Sequence, residues 1–361
     1  MNSIEVFAKN KKVGTLAINN KHEVLFQYDK EWIENGFSLN PLKLPLCDKV
    51  FISNTTHFRG LFGVFADSLP DSFGELVLDR YLESKGINSN NLNCLERLTY
   101  IGGNGMGMLE YNRTSNNEFK ISDIDFDLLQ RECNRLLNSK PINNINNLFS
   151  FAGSSGGARP KSLIFYKGKH RIVKFSSKFD SKDIASIEYK YMNLAKKAKI
   201  NIPEMELITT KSGNKYYMVE RFDRKDNEKI HMISVAALLE CDFRSPCLDY
   251  NDLLKLTRIV TNCEEDILQM YRRMVFNVLI DNQDDHAKNF AFIYDEAEGN
   301  YHLSPAFDIT PCKTYFLEHT TSINGKGKDI TEEDMIAVAV KNKISPKTAK
   351  EIIDEIKNVL K

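Results

Sequence analysis

The sequence predicts an α+β protein with two lobes: a small N-terminal α/β subdomain, a sheet-rich lobe, and a mainly helical C-terminal lobe. Three observations predict it. Short β-forming runs crowd the first thirty residues and recur between 162 and 219. Apolar residues at helical spacing dominate from Ser234 onward. Polar stretches at 114–118 and, rich in Asn, at 138–147 read as surface linkers. The expected boundaries are 1–145, 146–230 and 231–361, a division that suits the usual length of one domain per ~100–200 residues.

The elements follow in order. Ile4-Glu-Val-Phe7, Lys12-Val-Gly-Thr-Leu16 and Glu23-Val-Leu-Phe26 alternate or cluster β-formers, with a turn at Asn19-Asn20. Pro41, Pro45 and Pro70 mark a loop-rich stretch. Residues 71–84 carry Phe73, Leu76, Val77, Tyr81 and Leu82 on one helical stripe. Gly102, Gly103, Gly105 and Gly107 lead into a strand at Met108-Leu-Glu-Tyr111. Strands at 162–166 and 171–175 are joined by Lys167-Gly-Lys-His170, a hairpin signal. A helix over 181–198 and strands over 205–209 and 216–219 follow. Thr261-x-x-Glu264 reads as a capping box opening a helix through Leu279.

Composition narrows the function. The 361 residues hold 49 Lys+Arg against 49 Asp+Glu, which excludes binding of nucleic acid or membrane through overall charge. Neutrality hides an asymmetry: 12 basic against 3 acidic residues over 159–199, and 12 acidic against 4 basic over 276–340. A basic lobe suits phosphates and an acidic one suits a hard cation. No apolar run reaches the ~18 residues of a membrane span, and no basic-then-apolar leader opens the chain, so a cytoplasmic protein is expected. Seven scattered cysteines without Cys-x-x-Cys predict reduced thiols and no zinc site.

The sharpest constellation is Asp281-Asn-Gln-Asp-Asp-His-Ala-Lys-Asn289, followed by two short strands and then Ala306-Phe-Asp308. A helix delivers Asp284 and Asn289 on a loop, and a hairpin returns Asp308 close to Asp284. Kinases need this layout: Asp284 to accept or orient a substrate hydroxyl, Asn289 and Asp308 to hold Mg²⁺ on nucleotide phosphates. The spacing Asp-x-x-x-x-Asn is that of the protein-kinase catalytic loop. An acidic cluster is otherwise a solvated loop, and the surrounding helix and hairpin weigh against that reading. His286, inside the loop, reads as a structural hydrogen-bonding residue before a metal ligand.

Nucleotide contacts have three candidates. Gly153-Ser-Ser-Gly-Gly-Ala-Arg-Pro-Lys161 offers backbone N–H groups from Ser154, Ser155, Gly156 and Gly157, with the charge of Lys161, though it is not a Walker A loop. Lys174 sits in an apolar strand and Glu188 on the apolar stripe of the next helix. Each is costly alone and cheap as a pair, the strand–helix pair that positions phosphates in kinases. Two partly exposed charges remain the bland alternative. Tyr216-Tyr-Met-Val-Glu-Arg-Phe-Asp-Arg224 reads as a hinge whose backbone at Glu220 and Phe222 meets adenine, with Asp223 reaching the ribose. ATP and Mg²⁺ are thus the expected cofactors, in a bilobal protein-kinase-like fold.

Together these segments resemble the HipA family of serine/threonine kinases, the toxins of HipBA-type toxin–antitoxin modules. The resemblance adds 63–71, 100–111, 231–239, 242–254 and 306–311 to the motifs above. It implies Asp284 as catalytic residue, Asn289 and Asp308 as Mg²⁺ ligands, Lys174 as the ATP lysine and 154–161 as the phosphate loop. It also implies autophosphorylation beside that loop, on Ser150, Ser154 or Ser155, switching the kinase off. It implies further that the protein phosphorylates an aminoacyl-tRNA synthetase or another translation protein and arrests growth. A HipB-like helix-turn-helix antitoxin would neutralise it and reach DNA, and the N-terminal region makes it a whole toxin. Asp308 is followed by Ile309, not Gly. The rival readings are a small-molecule kinase of the aminoglycoside-kinase type and a catalytically silent co-repressor.

Overall fold

A computed structural model describes residues 2–111, 124–152, 157, 159–178, 180–226, 228–246 and 248–361. The polar segment at 114–118 and Cys247 lie outside the described residues. The chain is α+β and divides into two compact units: Met1–Ser186 with Glu204–Ile233, and Ile187–Pro203 with Ser234–Lys361.

Among the described residues the first unit contains two larger antiparallel sheets and a two-stranded ribbon of Arg224–Lys225 and Glu228–Lys229. One orders its strands Val50–Ile52, Val24–Tyr28, Lys11–Ile18, Ser3–Ala8 and Glu110–Tyr111. Alternation in Ile4, Val6, Val24, Phe26 and Tyr28 buries one face, as a period of two requires. Asn19 closes the second turn, its Oδ1 accepting the N–H groups of Lys21 and Glu23. The other sheet orders Lys161–Tyr166, Lys169–Lys174, Lys215–Glu220 and Met205–Thr209. Its first two strands meet at a two-residue turn where Lys167 and Gly168 both take positive φ (50° and 78°), the hairpin geometry that glycine makes cheap.

This unit continues through residue 145 for a physical reason. Phe73 and Val77 of the Ser72–Ser84 helix share a core with Phe126, Leu129 and Leu136 of the Phe126–Leu137 helix. Ile164, Val173, Tyr216 and Met218 of the second sheet complete that core. Asp127 adds a polar staple, accepting from Tyr216 Oη at 2.6 Å, from Asn214 Nδ2 at 2.9 Å and from Ser212 Oγ. The Ser212 hydroxyl, then that of Tyr216, holds its carboxyl down at about 2.

The second unit is mainly helical. Its helices are Val235–Leu239, Tyr250–Thr261, Glu264–Leu279, Glu332–Lys341 and Pro346–Leu360, joined by most of the Ile184–Lys197 helix. Capping boxes at Asp249/Asp252 and Thr331/Asp334 start two of them. The expected box at Thr261 is absent. Thr261 ends the preceding helix, its Oγ1 donating back to Thr257 O at 2.9 Å, and Asn262 turns left-handed, so Cys263 becomes the N-cap. Strands Ala291–Asp295 and Asn300–Leu303 form the expected hairpin. Among the described residues no helix is long and apolar enough to cross a membrane.

Candidate functional site

The Glu264–Leu279 helix buries Ile267, Met270, Tyr271 and Met274, which fixes where its C-terminal end points. The chain then turns at Asp281, whose φ of 57° is a left-handed conformation Asp tolerates better than most residues. Asn282 is tied back to Asn277, N–H to O at 2.9 Å and Nδ2 to Oδ1 at 3.0 Å. Asn277 Nδ2 in turn donates to Tyr250 Oη at 3.0 Å. That hydroxyl donates to Asp285 Oδ2 at 2.9 Å.

Asp285 is the hub. It is buried, and besides Tyr250 it accepts from His319 Nδ1 at 2.9 Å and from the Thr321 N–H at 3.1 Å. Burial and the neighbouring carboxylate push the Tyr250 phenol well above its ordinary range, so it keeps the proton that it donates to Asp285. Gln283 stitches the loop to the returning chain: its N–H donates to Cys312 O (2.8 Å), its Oε1 accepts from the Thr314 N–H (3.0 Å), and its carbonyl accepts from the Thr320 N–H (2.9 Å).

Between the buried Gln283 and Asp285, Asp284 alone faces out, its side chain 55% exposed. The Ala287–Asn289 turn is closed by His286, whose Nδ1 accepts the Lys288 N–H at 3.2 Å. His286 Nε2 lies 3.9 Å from Asp284 Oδ1, so the histidine shapes the loop as expected. Asn289 Nδ2 donates to Asp284 O at 2.7 Å, which commits the amide nitrogen and leaves its oxygen as a donor atom for a cation. Asp308 is held at a φ of 54° after the hairpin. A pocket lined by Arg273, Asn277, Asn282, Asp285, Asn289 and Asp308, with Phe290 and Ala306–Ile309, brings Asn289 and Asp308 together. A carboxylate and an amide oxygen are the hard donors Mg²⁺ prefers, so the residues present fit that ion.

Arg273 is the residue the sequence reading missed. It is fully buried, its Nη2 donates to Ser304 O, and Nε and Nη1 have no hydrogen-bond partner among the described residues. Burial pulls its pKa down to about 9, partly offset by the negative charge of Asp266. The signal was present: Arg273 falls between Met270 and Asn277 on the apolar stripe. A charge there needs an explanation.

In the first unit, Gly157 takes a φ of 98°, and its N–H donates to Asp71 Oδ1. Asp71 is placed as N-cap of the Ser72–Ser84 helix yet makes no capping bond. Lys161 is buried, its Nζ so close that a Cβ on Gly157 would meet it at 2.7 Å. Lys174 ends its strand with Nζ 5.6 Å over the Tyr217 ring, while Glu188, in the second unit, is buried on its helix. Ser154, Ser155 and Gly156 lie outside the described residues. Ser150 lies inside the Ile145–Ala152 helix with its Oγ on Asn146 O at 2.9 Å.

The hinge reading needs correction at Asp223. Its carboxylate is fully buried, taking Arg221 (2.7 and 2.9 Å), Arg224 (2.8 Å) and the Gly107 N–H (2.6 Å). The two guanidinium charges outweigh burial and hold its pKa well below the usual carboxylate range. Asp223 therefore anchors the Gly105–Gly107 loop and, with no solvent exposure, is not presented to a ribose. Glu220 likewise spends its side chain on Lys169 Nζ at 2.7 Å, and the Arg221 N–H is taken by His170 O. Phe222 is half-buried between them.

Comparison with known proteins adds the following. Residues 153–361 match the family model for the HipA-like C-terminal domain, and residues 4–112 match that for the HipA N-terminal domain. HipA of Shewanella oneidensis, solved in complex with HipB and operator DNA, superposes at a TM-score of 0.73, covering 99% of this chain and 90% of its own at 18% identity. A Helicobacter pylori proinflammatory kinase, CtkA, aligns at a TM-score of 0.38, covering 55% and 86% of the two chains at 17% identity. A putative kinase of Sinorhizobium fredii, Y4dM, is 25% identical over 194 residues, 48% of this chain and 47% of its own. The chain thus matches about half the length of that curated relative.

Proposed function

Because this chain belongs to the HipA family, we propose that it is an ATP- and Mg²⁺-dependent serine/threonine protein kinase that arrests growth. The observation that carries the proposal is the exposed carboxylate of Asp284 between the buried Gln283 and Asp285, with Asn289, which bonds the Asp284 carbonyl, lining one pocket together with Asp308. In this mechanism Asp284 orients the acceptor hydroxyl and takes its proton as the oxygen attacks the γ-phosphorus and the bond to the β-phosphate oxygen breaks. Asn289 and Asp308 hold Mg²⁺, which when bound neutralises charge developing on the phosphates. Gly157, Lys161 and Lys174 are the proposed phosphate contacts, and the backbone at Glu220 and Phe222 the proposed adenine contact.

The proposed acceptor is an aminoacyl-tRNA synthetase or another translation protein, and the proposed partner is a HipB-like antitoxin, supported by the company HipA keeps in the S. oneidensis complex. Autophosphorylation at Ser150, Ser154 or Ser155 would switch the enzyme off. For Ser150 this requires the Ile145–Ala152 helix to unwind locally, since a helical hydroxyl bonded to Asn146 O is not presented to a phosphate. Phosphoproteomics after induced expression, against Asp284→Asn, tests the proposal: new Ser/Thr phosphosites on translation proteins only with the wild type are expected. ATP consumption confined to an antibiotic or sugar acceptor would overturn it.

A further inference from the structure

We propose that Cys263, Asp266 and His302 form a site for one divalent cation of the zinc class, at the start of the helix that leads to the Asp284 loop. The Cys263 sulfur, a carboxylate oxygen of Asp266 and a ring nitrogen of His302 lie within 4.8 Å of one another. Cys263 and Asp266 are one turn apart and so share a helix face. His302 arrives from the Asn300–Leu303 strand, which Asn300 pins by donating from Nδ2 to Thr261 O at 2.6 Å.

The surroundings of His302 independently call for a cation. Its Nδ1 is 3.3 Å from Asp266 Oδ2 and its Nε2 is 2.9 Å from Glu298 Oε2. A neutral imidazole has one N–H. If Nε2 donates to Glu298, the Nδ1 lone pair faces the Asp266 carboxylate. A second proton or a metal ion relieves that opposition, and the thiol beside it favours a metal. Sulfur, imidazole nitrogen and carboxylate together suit Zn²⁺ better than Mg²⁺. Glu298 on the far ring nitrogen is the outer carboxylate that metal-bound histidines usually have. A thiolate and a carboxylate would cancel the charge of the ion, with the thiol proton released on binding. Asp266 and His302 are 13% and 28% exposed, which leaves a fourth position open to water.

The test uses the full chain, stripped with a chelator and titrated with Co²⁺. One equivalent should give tetrahedral absorption with a sulfur-to-cobalt charge-transfer band, both erased by Zn²⁺. Cys263→Ser should lose the charge-transfer band and His302→Gln should bind more than tenfold more weakly. Asp308→Asn, which alters the proposed Mg²⁺ site, should leave the band unchanged. If Cys263→Ser does not fold, Zn²⁺ should still slow alkylation of Cys263 in the wild type more than tenfold. Absence of the band, its persistence in Cys263→Ser, or unchanged alkylation would overturn the proposal. A ring that only takes up a proton gives the first of these results.

Discussion

Asp284 and Asp285 are adjacent, identical in chemistry and opposite in surroundings, so the same substitution at each should have opposite consequences. Asp285→Asn keeps one oxygen, which can still accept from Tyr250 and His319, but turns an amide donor toward the Thr321 N–H. One hydrogen bond to a charged acceptor is lost and two are weakened. At ~1.5–3 kcal/mol for each charged bond made or lost, the cost is about 3 kcal/mol. That is a large share of the ~5–15 kcal/mol by which a domain is stable. Asp284→Asn changes a carboxylate whose side chain is 55% exposed, so its cost stays within ~0.5 kcal/mol. Urea unfolding of both variants beside the wild type measures the difference. Equal midpoints for the two variants, or a larger loss in Asp284→Asn, would refute the assignment of Asp285 as hub and Asp284 as the outward group.

Three further outcomes follow from the structure. Asp223→Ala should cost about 3–5 kcal/mol in urea unfolding, because it leaves two buried guanidinium groups without their shared partner; a wild-type midpoint would contradict the buried geometry. Gly157→Ala forces a left-handed φ on a side chain at a cost of ~1–2 kcal/mol, which should weaken ATP binding about tenfold in calorimetry; unchanged affinity would remove Gly157 from the phosphate site. His231 is buried with Nε2 on Leu39 O, and burial lowers its pKa to about 4 from an ordinary 6.5. The unfolded chain therefore takes up a proton first as pH falls. Stability should drop by up to roughly 3 kcal/mol between pH 6.5 and 4, with a shallower drop in His231→Gln; identical slopes would refute the link.

Much of this was legible in the sequence because the signals were local. Alternation gave the strands at 4–28, and the helical stripe of 71–84 became the Ser72–Ser84 helix. Glu188 was expected on a buried face and is buried. What escaped depended on distant partners. Nothing in Asp-Asp tells which carboxylate meets Tyr250, His319 and Thr321, since those donors lie 34–36 residues away on either side. Asp223 reads as a ribose contact in sequence, but Gly107, 116 residues earlier, helps bury it. Thr261 matched a capping box, but the preceding helix already owned it. Cys263, Asp266 and His302 meet only because a hairpin folds back, so counting Cys-x-x-Cys motifs passed over them.

Asp284 is proposed to serve the transfer step and not the binding of nucleotide. Wild type and Asp284→Asn should be compared for ATP affinity with Mg²⁺ by calorimetry and, in parallel, for transfer of a labelled γ-phosphate to protein. The affinities should be near-equal and the transfer rate lower by about 10²–10⁴-fold in the variant, the usual worth of a positioned general base. Transfer at the wild-type rate by Asp284→Asn would contradict that role.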